Sequence, residues 1–240
     1  MLKKTCLCIF GSHDPQVLSN TPIYINNTQI AQVLSIKYLG VFIDSSLNWY
    51  DHIDFIYNKL LKFVAIFHKL QHFLPFYLMK SLYFTLVHPT LLYGIEVYAN
   101  TYTSHLKRLM TLNNYLIRII LKANIRCPIK LLYSQMNTLP LTILHNFQIL
   151  VFMHRFVHYS NQLPEIFTNY FDFNKCVHNY NTRNADCLHL MSVTSVKGSR
   201  SIKFKGVQLW NSLPENIRNI KSTGQFKATL KKYYLDNLSV

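Results

Sequence analysis

Acidic side chains are scarce in this sequence. Its 240 residues hold 10 Asp and Glu against 25 Lys and Arg, a formal charge of +15 at pH 7. The acids are scattered, and no pair has the clustering that a two-metal site needs to hold both ions. Glycine and proline are sparse too, at 6 and 8, which excludes a fibrous or low-complexity chain. The five cysteines, Cys6, Cys8, Cys127, Cys176 and Cys187, are odd in number and form no CxxC pair. That excludes a zinc ribbon and a disulfide framework, and reads as reduced thiols in an intracellular protein, with nucleus and cytoplasm both open. There is no Gly-rich phosphate loop of the Walker or dinucleotide type. His178 and Cys187 stand apart from ligand-like spacing, and the 11 histidines give a hydrolase triad no specific support. Long apolar runs are also lacking. The most apolar stretch, 76–99, is broken by Lys80, His88, Pro89 and Glu96, which fits a buried helix pair better than a membrane span. The N-terminal apolar run ends at Gly11 and His13, too short for a secretory core.

What is present is a large hydrophobic half, with 16 Tyr and 16 Phe. That is ample for one large domain or two small ones. The positive excess points to an anionic partner, with nucleic acid ahead of a membrane surface, and an inert basic protein as the bland alternative.

Periodicity divides the chain. Residues 1–49 read as strands and turns. Ile23 and Ile25 alternate with polar neighbours, Asn26-Asn27 suits a tight turn, and Thr28 to Ile30 can return. The run from Ile36 to Ile43 is strand-like, with Gly40 marking a turn, a bulge or a close backbone approach. From Tyr50 the period becomes helical, with Ile53, Ile56, Leu60, Phe63, Phe67 and Leu70 at three- and four-residue steps. Pro75 opens a second helix, interrupted near Pro89. A third is expected from about Ser104 to Lys122, with Thr103 as a candidate N-cap. Pro128 and Pro140 open two more, the latter reaching about Tyr159. Residues 160–200 look irregular, and 201–238 read as two short helices around the Leu213-Pro214 break. The expected fold is α+β and mostly helical. Its segments are a strand region (1–49), a helical region (50–126) and a helical C-terminal region (127–240).

Basic residues carry most of the functional signal. Lys107, Arg108, Arg118 and Lys122 fall on one expected helix, and steps of 11 and 14 residues return near one face. Such a face can track a phosphate backbone, or can be the solvated side of an amphipathic helix. In the tail, Lys and Arg interleave with Phe204, Trp210, Phe226, Tyr233 and Tyr234. Base stacking is conceivable there, with core packing the stronger reading for Trp210 and Phe226.

The run Ile36-Lys37-Tyr38-Leu39-Gly40-Val41-Phe42-Ile43-Asp44, followed by Leu47-Asn48-Trp49 and His52-Ile53, resembles non-LTR retrotransposon reverse transcriptases of the jockey-like type. There a K-[FY]-L-G-V-x-[IL]-D strand and an L-x-W-x-x-H-I segment follow the catalytic palm. Upstream, Lys3-Lys4-Thr5 and Ile9-Phe10 resemble the family's K-T-x-x-x-x-F strand. Downstream, Leu82-Tyr83, His88-Pro89 and Leu91-Leu92-Tyr93-Gly94 resemble a thumb helix, as do Leu112-Asn113-Asn114 and Ile117-Arg118-Ile119-Ile120. Tyr180-Asn181-Thr182-Arg183 and Gly206-Val207-Gln208-Leu209-Trp210-Asn211-Ser212-Leu213-Pro214 are similar to signatures in these elements' C-terminal regions.

The resemblance implies the end of a palm, a thumb and a tail of an RNA-directed DNA polymerase. It places a primer grip on Tyr38, Leu39 and Gly40, and Lys4 near a nucleotide's phosphates. The implied partner is an RNA/DNA template-primer duplex, held through phosphates with no base readout, and no membrane. The family's [FY]-A-D-D motif precedes the Lys-Thr strand and has no counterpart here. The chain is therefore expected to hold no catalytic residue, to bind no cofactor of its own (the parent family uses Mg2+), and not to polymerise alone. Two alternatives stay open: a protein-interaction module, with apolar surface near Ile23 to Ile43 inviting self-association or association with a full-length copy, and a non-functional transposon remnant.

Overall fold

The computed structural model describes residues 5–10, 22–167, 169–177 and 185–238. The fold is α+β and mostly helical, as expected. The chain divides into two compact units, Met1–Ile120 and Leu121–Val240. The strand region does not stand apart from the first helices, because its last strand packs on the first long helix inside one unit.

In the first unit the strands are short and pair two by two. β1 (Cys6–Leu7) runs parallel to β4 (Ala31–Gln32), and β2 (Tyr24–Ile25) pairs antiparallel with β3 (Thr28–Gln29). Asn26 and Asn27 both have positive φ, at 48° and 59°. That is the mirror-image turn whose twist suits a two-residue hairpin, and asparagine tolerates it. A second hairpin joins β5 (Ser35–Tyr38) to β6 (Val41–Asp44), with Tyr38 opposite Val41 across a Leu39-Gly40 turn. Asp44 ends it. Its carboxylate accepts the backbone N–H groups of Ser46 at 3.1 Å, Asn48 at 3.0 Å and Trp49. This local bonding holds Leu47 and Trp49 in left-handed backbone (φ 56° and 64°) and steers the chain into α1.

Helix α1 (Tyr50–Leu70) buries His52, Ile53, Ile56, Leu60 and Phe67. Of the expected apolar face, Ile53, Ile56, Leu60 and Phe67 are buried, Phe63 and Leu70 are half-buried, and His52 is an addition. Helix α2 (Phe76–Leu82) follows Pro75 and widens into a π turn (Tyr83–Val87) before α3 (His88–Leu92). Pro89 supplies the cause of the interruption. It has no N–H to give the carbonyl of Thr85, and its ring crowds that carbonyl. Helix α4 (Ile95–Tyr98) is a single turn, and α5 (Thr103–Leu121) closes the unit. Thr103 is the first residue of α5 rather than its cap. Tyr83 donates its hydroxyl to Asn113 Oδ1 at 3.0 Å, a buried bond that ties the π turn to α5. Full burial of Leu60, Phe67, Leu109 and Leu116 contributes about 1.5–3 kcal/mol each.

The second unit is built on α7 (Leu141–Tyr159), preceded by α6 (Ile129–Met136). Both begin directly after a proline, as expected. Two single-turn 3-10 segments, α8 (Asn174–Val177) and α9 (Val196–Arg200) lie in the stretch read as irregular. Then come α10 (Ile202–Ser212), α11 (Glu215–Arg218) and α12 (Thr223–Asp236). Ile149, Leu150, Met153 and Phe156 of α7 meet Val207 and Trp210 of α10 and Phe226 and Leu230 of α12 in one core. Gly206 lets α10 approach closely, since a Cβ there would lie 2.8 Å from Met153 Sδ. Asn211 brackets Leu188, accepting its N–H at 3.2 Å and donating to its carbonyl at 2.8 Å. The tail signature 206–214 thus has a packing role. Trp210 and Phe226 are core residues (4% and 0% exposed), not stacking platforms.

Three side chains at the end of α7 hold the loop before α12. His154 Nε2 donates to the Ile220 carbonyl at 2.7 Å, His158 Nε2 to that of Arg218 at 2.9 Å, and the Tyr159 hydroxyl to that of Lys221 at 2.8 Å. His154 lies flat on Phe226, with ring centroids 4.2 Å apart. Its Nδ1 has no partner among the described residues. Burial lowers its pKa, with the neighbouring His158 adding to the effect. Neutral His154 therefore stabilises the unit fully above the ordinary histidine value of about 6.5, and that contribution is lost as pH falls below it toward the lowered folded-state value. In a Trp49→Phe background, where Trp210 alone reports, the urea midpoint is expected to fall between pH 7.5 and 5. A His154→Gln variant should show a smaller fall. Equal pH dependence in both would contradict this assignment.

Candidate nucleic-acid interface

The Leu39-Gly40 turn is seated on the ring of Tyr93. The Tyr93 hydroxyl donates to the Leu39 carbonyl. A Cβ on Gly40 would lie 3.2 Å from Tyr93 Cε1, and Gly40 has φ +83°. Leu39 itself has φ 46°, a conformation that costs a branched residue about 1–2 kcal/mol. The neighbouring Gly94 meets Val41, whose Cγ2 would be 3.1 Å from a Cβ added there. Tyr38 and Leu39 are left facing solvent, 62% and 74% exposed.

Beneath this turn lies a cleft of about 550 Å³. The hairpin contributes Lys37 and Gly40. Helix α1 contributes His52, Phe55, Lys59 and Phe63, of which Phe55, Lys59 and Phe63 recur every four residues along one face. The π turn and α3 supply Thr85, Leu86, Pro89, Thr90 and Tyr93. The widened turn at Pro89 is thus part of the wall, a common place for such turns. No carboxylate lines the cleft among the described residues. Lys37 Nζ lies 5.2 Å from the Phe55 ring centroid and 5.3 Å from that of Phe42, within cation–π range.

His52 forms part of the cleft wall while being 1% exposed. Its Nδ1 accepts the Phe42 N–H at 3.4 Å, which puts the ring proton on Nε2, and Nε2 has no partner among the described residues. Burial pulls its pKa down to about 4, so the imidazole is neutral at pH 7. The positive charge of the cleft rests on Lys37 and Lys59.

The residues singled out from sequence divide. Tyr38, Leu39 and Gly40 form the hairpin tip beside the cleft. Lys107 and Arg108 are exposed on α5, while Arg118 is half-buried. Adjacent residues on a helix point about 100° apart, so these do not make one row. Arg108 is engaged elsewhere, bonding Asp54 at 2.9 Å with its guanidinium 3.8 Å from the Tyr57 ring centroid. Lys122 lies past the end of α5 with φ 51°, in the second unit. Lys4 and the Tyr180 to Arg183 signature lie outside the described residues. Lys37, Phe55, Lys59 and Tyr93 were not assigned roles from sequence. Lys37 and Tyr93 lie within two quoted glycine-containing motifs, a usable signal; Lys59 carried none beyond its four-residue step from Phe55.

Among the described residues no group of three or more His, Cys, Asp or Glu could hold a metal ion, and no helix is long and apolar enough to cross a membrane. No protein-family model, curated protein or solved structure matches the chain.

Substituting Gly40→Ala should lower the stability of the first unit by about 1–2 kcal/mol, from the left-handed backbone alone, and more if Tyr93 is displaced. Amide hydrogen exchange across β5 and β6 should speed up, as it should in Tyr93→Phe. Unchanged exchange in both variants would show that Tyr93 does not hold the turn.

Proposed function

We propose that the first unit binds nucleic acid through phosphates, without base readout, as the primer-grip and thumb region of an RNA-directed DNA polymerase of the non-LTR retrotransposon type. One observation carries this reading. The quoted motifs that lie far apart in sequence converge on one basic cleft. Gly40 of the strand motif meets Tyr93 of the thumb motif, and His52 of the intervening segment bonds Phe42. A hairpin tip with exposed Tyr38 and Leu39 above Lys37 and Lys59 suits a sugar-phosphate backbone, where neutralised phosphates release counterions. Lys107 on α5 adds an exposed cation in the same unit. The reading assigns no catalytic carboxylate and no bound metal to this chain.

A second reading, self-association, is favoured by one feature. Tyr24 and Ile25 of β2, and Ile23 and Leu34 beside the short strands, are all exposed, and short strand pairs leave open edges. A salt-insensitive oligomer with no affinity for nucleic acid would support it over the first.

Fluorescence anisotropy of a labelled RNA–DNA hybrid, titrated with the full chain at 50 and 200 mM salt, tests the first reading. Binding is expected to weaken steeply with salt and to be indifferent to sequence. Charge reversal at Lys107, which is exposed on α5, should weaken it further, with folding checked by circular dichroism. Hybrid binding unchanged by this substitution would remove α5 from the interface, and no binding by a folded chain would sink the reading.

A further inference from the structure

The cleft has the size of a small-molecule site. About 550 Å³ is room for roughly one or two nucleotides. Its lining joins two lysines to aromatic faces, with Lys37 already over Phe55 and Phe63 further along the same face of α1. Proteins that take single strands use this pairing, a cation for the backbone and an aromatic face for the base. His52 adds a buried donor, since its Nε2–H has no acceptor among the described residues. A base carbonyl or a phosphate oxygen is the class of group that would satisfy it.

We propose that this cleft holds a nucleotide of an unpaired strand, with its base against Phe55 and Phe63 and its phosphate between Lys37 and Lys59. This rests on the nucleic-acid reading above and adds to it a site for single-stranded rather than duplex substrate. A template-primer with an unpaired end presents both kinds of surface. Among the described residues no carboxylate lines the cleft, which favours an anion, and the aromatic faces favour a base over a bare acidic chain.

The test titrates the full chain with a 5′-labelled oligo(dT) octamer and, separately, with a blunt RNA–DNA hybrid. Wild type is compared with the K37E/K59E double variant and with Phe55→Ala. All three positions are exposed, and circular dichroism checks that each variant folds. Wild type is expected to bind the octamer. The double variant should lose about tenfold or more in octamer affinity, with a salt slope smaller by about 1.4. Phe55→Ala should lose about fivefold or more with the slope unchanged. Blunt-hybrid affinity should change less in both. Octamer binding untouched by these variants, while hybrid binding still responds to Lys107→Glu, would overturn the single-strand site and leave the proposed function standing. No binding to either nucleic acid would overturn both. Equal affinity for an oligo-glutamate peptide, insensitive to Phe55→Ala, would overturn the nucleotide assignment in favour of an acidic peptide.

Discussion

The bond from the Tyr93 hydroxyl to the Leu39 carbonyl fixes the geometry on which the rest of the first unit's surface depends. It joins a hairpin turn to a helix end 54 residues further on. The turn is conformationally costly, because Leu39 occupies left-handed backbone. The bond and the glycine beside it make that cost tolerable: Gly40 leaves room for the ring, and the carbonyl finds a donor. With the hairpin tip so placed, Lys37 projects over Phe55 of α1, and the π turn at Pro89 completes a wall. The cleft is a consequence of this seating rather than of any single element.

Electrostatics then follow from where the few acids are engaged. Asp44 accepts three backbone N–H groups and directs the chain into α1. Asp54 pairs with Arg108. Neither lines the cleft, and among the described residues no other carboxylate does. His52 contributes no charge near neutral pH, because burial holds it neutral. A basic protein thus places two cations, Lys37 and Lys59, on an apolar, aromatic floor, where their field is screened less than on an open surface. The second unit uses its basic and polar residues differently. Its histidines at 154 and 158 serve the backbone of a loop, and its conspicuous aromatics are in the core.

Much of the fold was legible in the residues. The paired asparagines at 26 and 27 suited a tight turn, and the spacing from Ile53 to Leu70 gave the extent of α1 and most of its buried face, with Phe63 and Leu70 only half-buried. Pro75, Pro128, Pro140 and Pro214 marked helix starts, since proline suits the edge of a first turn and not an interior. The site was less legible. Four basic residues near 107–122 looked like one face by step counting. The structure has Arg108 bound to Asp54, Arg118 half-buried and Lys122 beyond the helix. Helical spacing cannot reveal a salt bridge to another helix or a left-handed terminus. The cleft itself draws on residues 37 to 93, and its assembly depends on a long-range contact between two motifs that sequence presents separately.

The central claim is that the hairpin, α1 and the π turn together form the surface that touches nucleic acid. Photo-crosslinking measures this most directly. An RNA–DNA hybrid with a single-stranded overhang carrying 4-thiouridine would be irradiated with the full chain, and the adducts mapped by mass spectrometry. The account predicts adducts from the overhang on peptides containing Phe55, Phe63 and Tyr93, lost on competition with unlabelled octamer. Adducts confined to the region after Leu121, with none on those peptides, would contradict it.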